Sequence, residues 1–317
     1  MEKVRIVFMG TPEFAVESLK QLIENSFEIA AVVTVPDKPA GRGLKLKESA
    51  VKSFAVSHNL PVLQPDRLQD QDFIDQLRLI RANLFIVVAF RKLPDEVWKM
   101  PDLGTFNLHA SLLPQYRGAA PINHAVINGE SVTGVTTFFI NSGIDTGKII
   151  LSRSVDIGPD ETAGELHDRL MLTGGSLVVD TVNAIAEGNC RLIDQPAFSG
   201  MLRTAPRIFR EHCRIRWSES VHVVHNLIRG LSPHPGAYSV IKTEKGLSEV
   251  KILHGLIREG PASKMPGEAL ILNEGKLLVS CTNGYIEILR VQLAGKRAMT
   301  ATEFLRGLKS AYIQFEA

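Results

Sequence analysis

The chain has 317 residues, 44% of them hydrophobic and 22% charged, which excludes a disordered or membrane-embedded protein and leaves length for two domains of ordinary size. No run of about 18 apolar residues occurs, so no membrane span is expected, and MEKVRIVFMG enters a strand without a long apolar leader. The net charge of +2 conceals a division: residues 1–202 carry 19 Lys+Arg against 24 Asp+Glu (net −5), and residues 203–317 carry 17 against 10 (net +7). That asymmetry points to a nucleic-acid-facing C-terminal portion, with a solvated basic surface as the plainer alternative.

Residues 4–9 (VRIVFM) read as a strand, Gly10-Thr11-Pro12 as a tight turn, and residues 13–24 as a helix with Phe14, Leu19, Leu22 and Ile23 on its apolar face. Thr11 suits the N-cap and Pro12 the first helical turn. This is the opening of an α/β unit, and the lack of GxGxxG argues against a dinucleotide site. Residues 29–35 read as the second strand. Residues 36–47 then break the pattern: Pro and Gly block helix and sheet, while Lys38, Arg42, Lys45 and Lys47 gather positive charge. Such a loop is either a solvated connection or a grip for phosphates. Helices are expected near residues 49–57 and 70–81, a short strand within 60–65, and another strand over 84–89. Trp98 and Met100 read as core.

The stretch 104–148 holds the chemistry. A strand ends in Asn107-Leu108-His109, and because strand side chains alternate, Asn107 and His109 share one face. A Pro/Gly-rich turn, a helix from about Pro121, a β-run over 134–140 and the turn Gly143-Ile144-Asp145-Thr146-Gly147 follow. An amide, an imidazole and an acid make a plausible acyl-transfer set: Asn107 donates to an oxyanion, His109 moves or stabilises charge, and Asp145 orients the imidazole. Each has a plainer reading, since a strand-end His is often structural and an Asp between glycines often only forms the turn. His124, inside the helix, reads as structural. His109 and Asp145 have no third ligand at metal-binding spacing, so no metal is expected.

A strand over 149–155 is followed by two expected helices, one starting at Asp160-Glu161-Thr162 and running toward Gly174, the other ending at Gly188. Residues 189–207 look like a linker between domains. Arg203, Arg207, Arg210, Arg214 and Arg216 cluster there, available to phosphates or to acids of the protein. After a helix over 218–229, five short β-runs (238–242, 250–256, 269–272, 277–281, 286–293) separated by Gly/Asn turns suggest a small open barrel. Thr300 and Glu303 then form a capping box for the last helix. Cys190, Cys213 and Cys281 lie far apart without a CxxC pair, which argues against disulfides or structural zinc and for a reducing cytoplasm.

NLHASLLPQYRGAAPI followed by GIDTG resembles the signature of the 10-formyltetrahydrofolate-dependent formyltransferases, and GTPEFAV with PDKPAGRG is similar to their methionyl-tRNA formyltransferase branch. The resemblance implies a Rossmann-like α/β formyltransferase domain with a mostly parallel sheet (residues 1–189), a linker (190–207) and an OB-like β-barrel that binds tRNA (208–317). It implies Asn107, His109 and Asp145 as the catalytic set and Ser111, Leu112, Leu113 and Pro114 as the folate segment. Arg42 matches the arginine of a loop inserted beside the acceptor stem; Lys38, Lys45, Arg203 and Arg207 are expected to join it on tRNA. The cosubstrate implied is 10-formyltetrahydrofolate without a metal, the partner methionyl-initiator tRNA, and the enzyme a cytoplasmic monomer. Ala89-Phe90-Arg91-Lys92-Leu93-Pro94 departs from the family's pattern in the loop that lines the pterin pocket. Formylation of a small amine and a non-catalytic folate- or RNA-binding role are the competing readings.

Overall fold

The computed structural model describes residues 3–40, 45–195, 202–244, 246–260, 264–272, 275–308 and 313–316. It divides into two compact units: Met1–Gly118, Thr133–Val155 and His167–Thr204 form the first, and Ala119–Val132, Asp156–Leu166 and Ala205–Ala317 the second.

In the first unit, β1 (Arg5–Gly10), α1 (Glu13–Glu24) and β2 (Glu28–Val33) follow the expected order. Pro12, not Thr11, occupies the N-cap of α1, with extended backbone and no side-chain cap, so the expected cap shifts by one residue. Residues 38–40 and 45–47 pair as an antiparallel ribbon, β3 (Lys38–Ala40) and β4 (Lys45–Lys47), where the sequence suggests neither helix nor sheet. An isolated two-strand ribbon has only edges, where a proline such as Pro39 is tolerated. The elements α2 (Ala50–Ser57), β5 (Val62–Leu63), α3 (Gln71–Ile80), β6 (Leu84–Val88), α4 (Asp95–Trp98) and β7 (Thr105–His109) complete the parallel part. A two-residue strand β8 (Arg117–Gly118) and α5 (Pro121–Ile127) precede β9 (Val132–Phe139) and β10 (Ile149–Asp156).

Seven strands form one sheet in the order β10-β9-β7-β6-β1-β2-β5. β1, β2, β5, β6 and β7 pair in parallel, and β9 runs antiparallel to β7. Strands 84–88 and 5–10 are almost wholly apolar because helices cover both faces of a parallel sheet. Each fully buried Val, Leu, Ile or Phe there contributes about 1.5–3 kcal/mol.

The two expected helices after β10 are one 24-residue helix, α6 (Ala163–Ala186). Gly174 and Gly175 do not break it. A Cβ at Gly174 would lie 2.8 Å from Leu108 Cδ2, and one at Gly175 3.1 Å from the Glu17 and Gln21 side chains. The glycines let α6 pack closely, which offsets their cost of about 1 kcal/mol each in a helix.

In the second unit, α7 (Val221–Gly230) is capped by Ser220 and packs on α5, where the Asn123 amide donates to the Gly230 carbonyl at 2.8 Å. After a two-residue strand β11 (Thr204–Ala205), the strands β12 (Ala237–Thr243), β13 (Gly246–Glu259), β14 (Ala269–Leu272), β15 (Lys276–Cys281) and β16 (Gly284–Leu293) build an antiparallel half-barrel. Register shifts at Ile252–Gly255 bend the long β13, the usual way a sheet curls. Trp217, Phe304 and Phe315 fill its interior, with Trp217 Nε1 donating to Ser239 Oγ at 3.0 Å. Thr300 and Glu303 exchange capping hydrogen bonds (2.8 and 3.2 Å) at the last helix (Ala301–Leu308), as the sequence suggests.

Candidate active site

β7 lies between β6 and β9, with Asn107 in register with Val87 and Phe138. Leu108 is covered by Gly174 of α6, so alternation turns Asn107 and His109 to the opposite face, at the carboxyl end of the parallel strands. Open α/β sheets hold their ligands at that end.

His109 is only 6% exposed, and its Nε2 lies 2.9 Å from the Tyr116 carbonyl oxygen. A carbonyl only accepts, so Nε2 carries the proton and the neutral ring presents its lone pair at Nδ1. Nδ1 faces Asp145 Oδ2 at 3.8 Å, beyond hydrogen-bond length. The imidazole tautomer is thus fixed by Tyr116, not by Asp145 as the sequence suggests. Tyr116 is itself anchored, its amide donating to the Arg203 carbonyl at 2.7 Å. Asp145 Oδ2 instead accepts from the Gly118 amide at 2.9 Å.

The 143–147 turn is closed by Asn141, whose Oδ1 accepts from the Gly143 amide (3.0 Å) and the Thr146 hydroxyl (2.9 Å). Asp145 sits in the left-handed region (φ 53°), which Asp and Asn tolerate better than other side chains. Gly147 has no substitute, since a Cβ there would lie 1.6 Å from the Phe139 carbonyl oxygen. Gln195, in the stretch that reads as linker, bonds this turn and Arg117. No local pattern in the sequence marks it.

The other expected residues divide. Ser111 is buried, its hydroxyl donating to the Gln115 carbonyl at 2.7 Å and its carbonyl accepting from Thr136. Leu113 packs with Phe138 and Ile149, while Leu112 and Pro114 stay half-buried. The unusual 89–94 loop is tied down by Arg91, whose guanidinium donates to the carbonyls of Pro65 and Asp66, each at 2.9 Å, and whose pKa burial lowers. Lys38 is exposed on the ribbon and Lys45 is paired through its backbone; Arg42 lies outside the described residues. The ribbon's base is held by Asp37, which Lys52 and Gln64 bind and whose carboxyl those bonds lower below its usual range. Arg203 reaches the Tyr116 hydroxyl at 3.3 Å, so it supports the His109 segment. Arg207 is exposed and stacks over Phe209. In the same cluster, Arg210 and Arg214 pair with Glu249 and Glu316, the plainer reading of those two arginines. His124 donates to the Pro206 carbonyl at 3.0 Å, a structural use. Burial raises the pKa of all three cysteines, that of Cys281 to about 12, so none is poised as a nucleophile. Among the described residues no three His, Cys, Asp or Glu side chains converge, and no helix is long and apolar enough to cross a membrane.

Two family models match the chain: "Formyl transferase" over residues 3–182 and "Formyl transferase, C-terminal domain" over residues 207–309. Fold and site are thus those of a formyl transferase. The methionyl-tRNA formyltransferase of Flavobacterium johnsoniae is 49% identical over 308 residues (97% of each chain), and that of Bacteroides fragilis 49% over 309 (96% of this chain, 95% of the relative). The chain belongs to the methionyl-tRNA formyltransferase family. Among solved structures, the N-formyltransferase of Helicobacter canadensis, determined with folinic acid and dTDP-3-aminofucose, aligns with a TM-score of 0.62 at 20% identity (90% of this chain, 98% of the other). HypX of Aquifex aeolicus, determined with tetrahydrofolic acid, aligns at 0.65 and 18% (96% and 47%). At these identities the likeness is one of fold.

Proposed function

We propose that this chain transfers the formyl group of 10-formyltetrahydrofolate to the α-amine of methionine esterified to initiator tRNA, in the cytoplasm. The observation that carries the reading is near-half identity, over nearly the whole length, to methionyl-tRNA formyltransferases, in a chain that places Asn107, His109 and Asp145 together at a strand end.

The cosubstrate supplies an electrophilic formyl carbon. The side-chain amide of Asn107 suits the oxyanion role, and removing such a donor costs about 2.7–4 kcal/mol in other acyl-transfer sites. His109, with Nε2 committed to Tyr116, works through Nδ1: neutral, it takes the proton shed by the attacking amine, and protonated, it donates toward the oxyanion. Asp145 supplies the counter-charge 3.8 Å away. When the bond from the formyl carbon to N10 breaks, the proton moves to N10 and tetrahydrofolate leaves. Ser111 and Leu113 shape the folate segment from behind, and Leu112 and Pro114 offer its accessible surface. Lys38, Arg42, Lys45 and Arg207 bind tRNA phosphates, and Arg203 acts through Tyr116.

The test is a stoichiometry. With methionyl-initiator tRNA as acceptor, one tetrahydrofolate should appear for each formylmethionyl ester, and tetrahydrofolate release without formylmethionine would contradict the reading.

A further inference from the structure

The Gln195 side chain is fully committed. Its Nε2 donates to the carbonyls of Asp145 (2.9 Å) and Gly147 (2.8 Å), and its Oε1 accepts from Arg117 Nε (3.0 Å) and Nη2 (2.5 Å). The orientation of the amide follows from these partners, because carbonyls only accept and a guanidinium only donates. Next to Arg117, the Gly118 amide donates to Asp145 Oδ2. A closed ring results: Gln195 holds the backbone of the Asp145 turn, Arg117 holds Gln195, and Gly118 holds the carboxylate. The ring is fixed to the sheet two residues earlier, where Ile193 and Ile149 exchange backbone hydrogen bonds of 2.8 and 2.9 Å.

We propose that Gln195 is a positioning residue for formyl transfer: with Arg117 it sets the height of the Asp145 carboxylate opposite His109. The inference rests on the function proposed above. A left-handed turn pressed onto the Phe139 carbonyl needs an outside restraint to hold one geometry, and one amide meeting two of its carbonyls provides it. Because Gln195 is distant from Asn107 in the chain and acts through Asp145, its loss changes kcat and leaves binding largely intact. Displacement of about 1 Å at a catalytic group can cost about 100-fold.

Gln195→Leu keeps the volume and removes all four hydrogen bonds. The expected result is a 10- to 100-fold fall in kcat, with KM for methionyl-tRNA and for the folate donor each within about threefold of wild type. In an Asp145→Asn background the same substitution should lower single-turnover transfer by less than threefold, because the group it positions is already lost. Losses that multiply in the double variant, or a rise in KM that accounts for the single-variant effect, would overturn the proposal. If Gln195→Leu does not fold, Arg117→Met removes the guanidinium from Oε1 and is held to the same non-additivity. Wild-type enzyme in the same assay separates the two claims: its failure to formylate methionyl-tRNA would sink the functional reading, whereas normal wild-type transfer with additive variants would sink only the role of Gln195.

Discussion

Asp145 Oδ2 stands 3.8 Å from His109 Nδ1 while accepting a 2.9 Å hydrogen bond from Gly118. The carboxylate is therefore held by backbone and meets the imidazole as a charge rather than as a tautomer lock. Asparagine keeps an oxygen for the Gly118 amide and tolerates the left-handed backbone, but it loses the charge. Asp145→Asn should lower kcat about 100-fold or more while folate affinity, measured by equilibrium titration, moves less than about threefold. Equal losses in both would contradict this role.

The basic ribbon should act on tRNA alone. Arg42→Ala is expected to lower kcat/KM for methionyl-tRNA and to reduce the salt dependence of binding by about one unit of slope. Slow hydrolysis of the formyl donor without an acceptor should stay unchanged. Unaltered tRNA kinetics would remove the ribbon from the account.

Gly174 supports the site from behind. Alanine favours a helix over glycine by about 0.5–1 kcal/mol, but here the added carbon would lie 2.8 Å from a Leu108 side chain that is 3% exposed and has no room to move. Overpacking of this kind costs about 1–3 kcal/mol. Gly174→Ala should thus destabilise the protein by about 1–2 kcal/mol in denaturant unfolding, and a gain in stability would show that α6 can shift away from β7.

Stability should fall in mild acid through His225. The ring is 3% exposed, and burial above all lowers its pKa below the usual value, with Asp160 opposing and Arg229 adding to the shift. The unfolded chain then takes up the proton first, from about pH 6.5 downward. The stability present at neutral pH is lost as pH falls from there toward the folded-state pKa. The melting temperature should drop between pH 7.5 and 5.5, and His225→Gln should shrink the drop. An undiminished drop in the variant would assign it to other groups.

Elements whose signals are local were legible in the sequence. The β1–α1 opening, the Asn107–His109 alternation, α5 starting at its proline and the Thr300–Glu303 box all follow from periodicity or caps. What escaped was decided by distant partners. Gly174-Gly175 reads as a break until Leu108, Glu17 and Gln21 are seen against it. The ribbon at 38–47 exists because two polar strands pair with each other, which periodicity does not reveal. Gln195 serves residues 48 to 78 positions away, and nothing in its neighbours announces an amide with four committed hydrogen bonds.

The most direct measurement compares formyl transfer from 10-formyltetrahydrofolate to methionyl-initiator tRNA, methionyl-elongator tRNA and free methionine under one set of conditions. The account predicts strong preference for the initiator species and negligible transfer to free methionine. Equal use of both tRNAs, or donor turnover that needs no tRNA acceptor, would contradict it and move the substrate to a small amine.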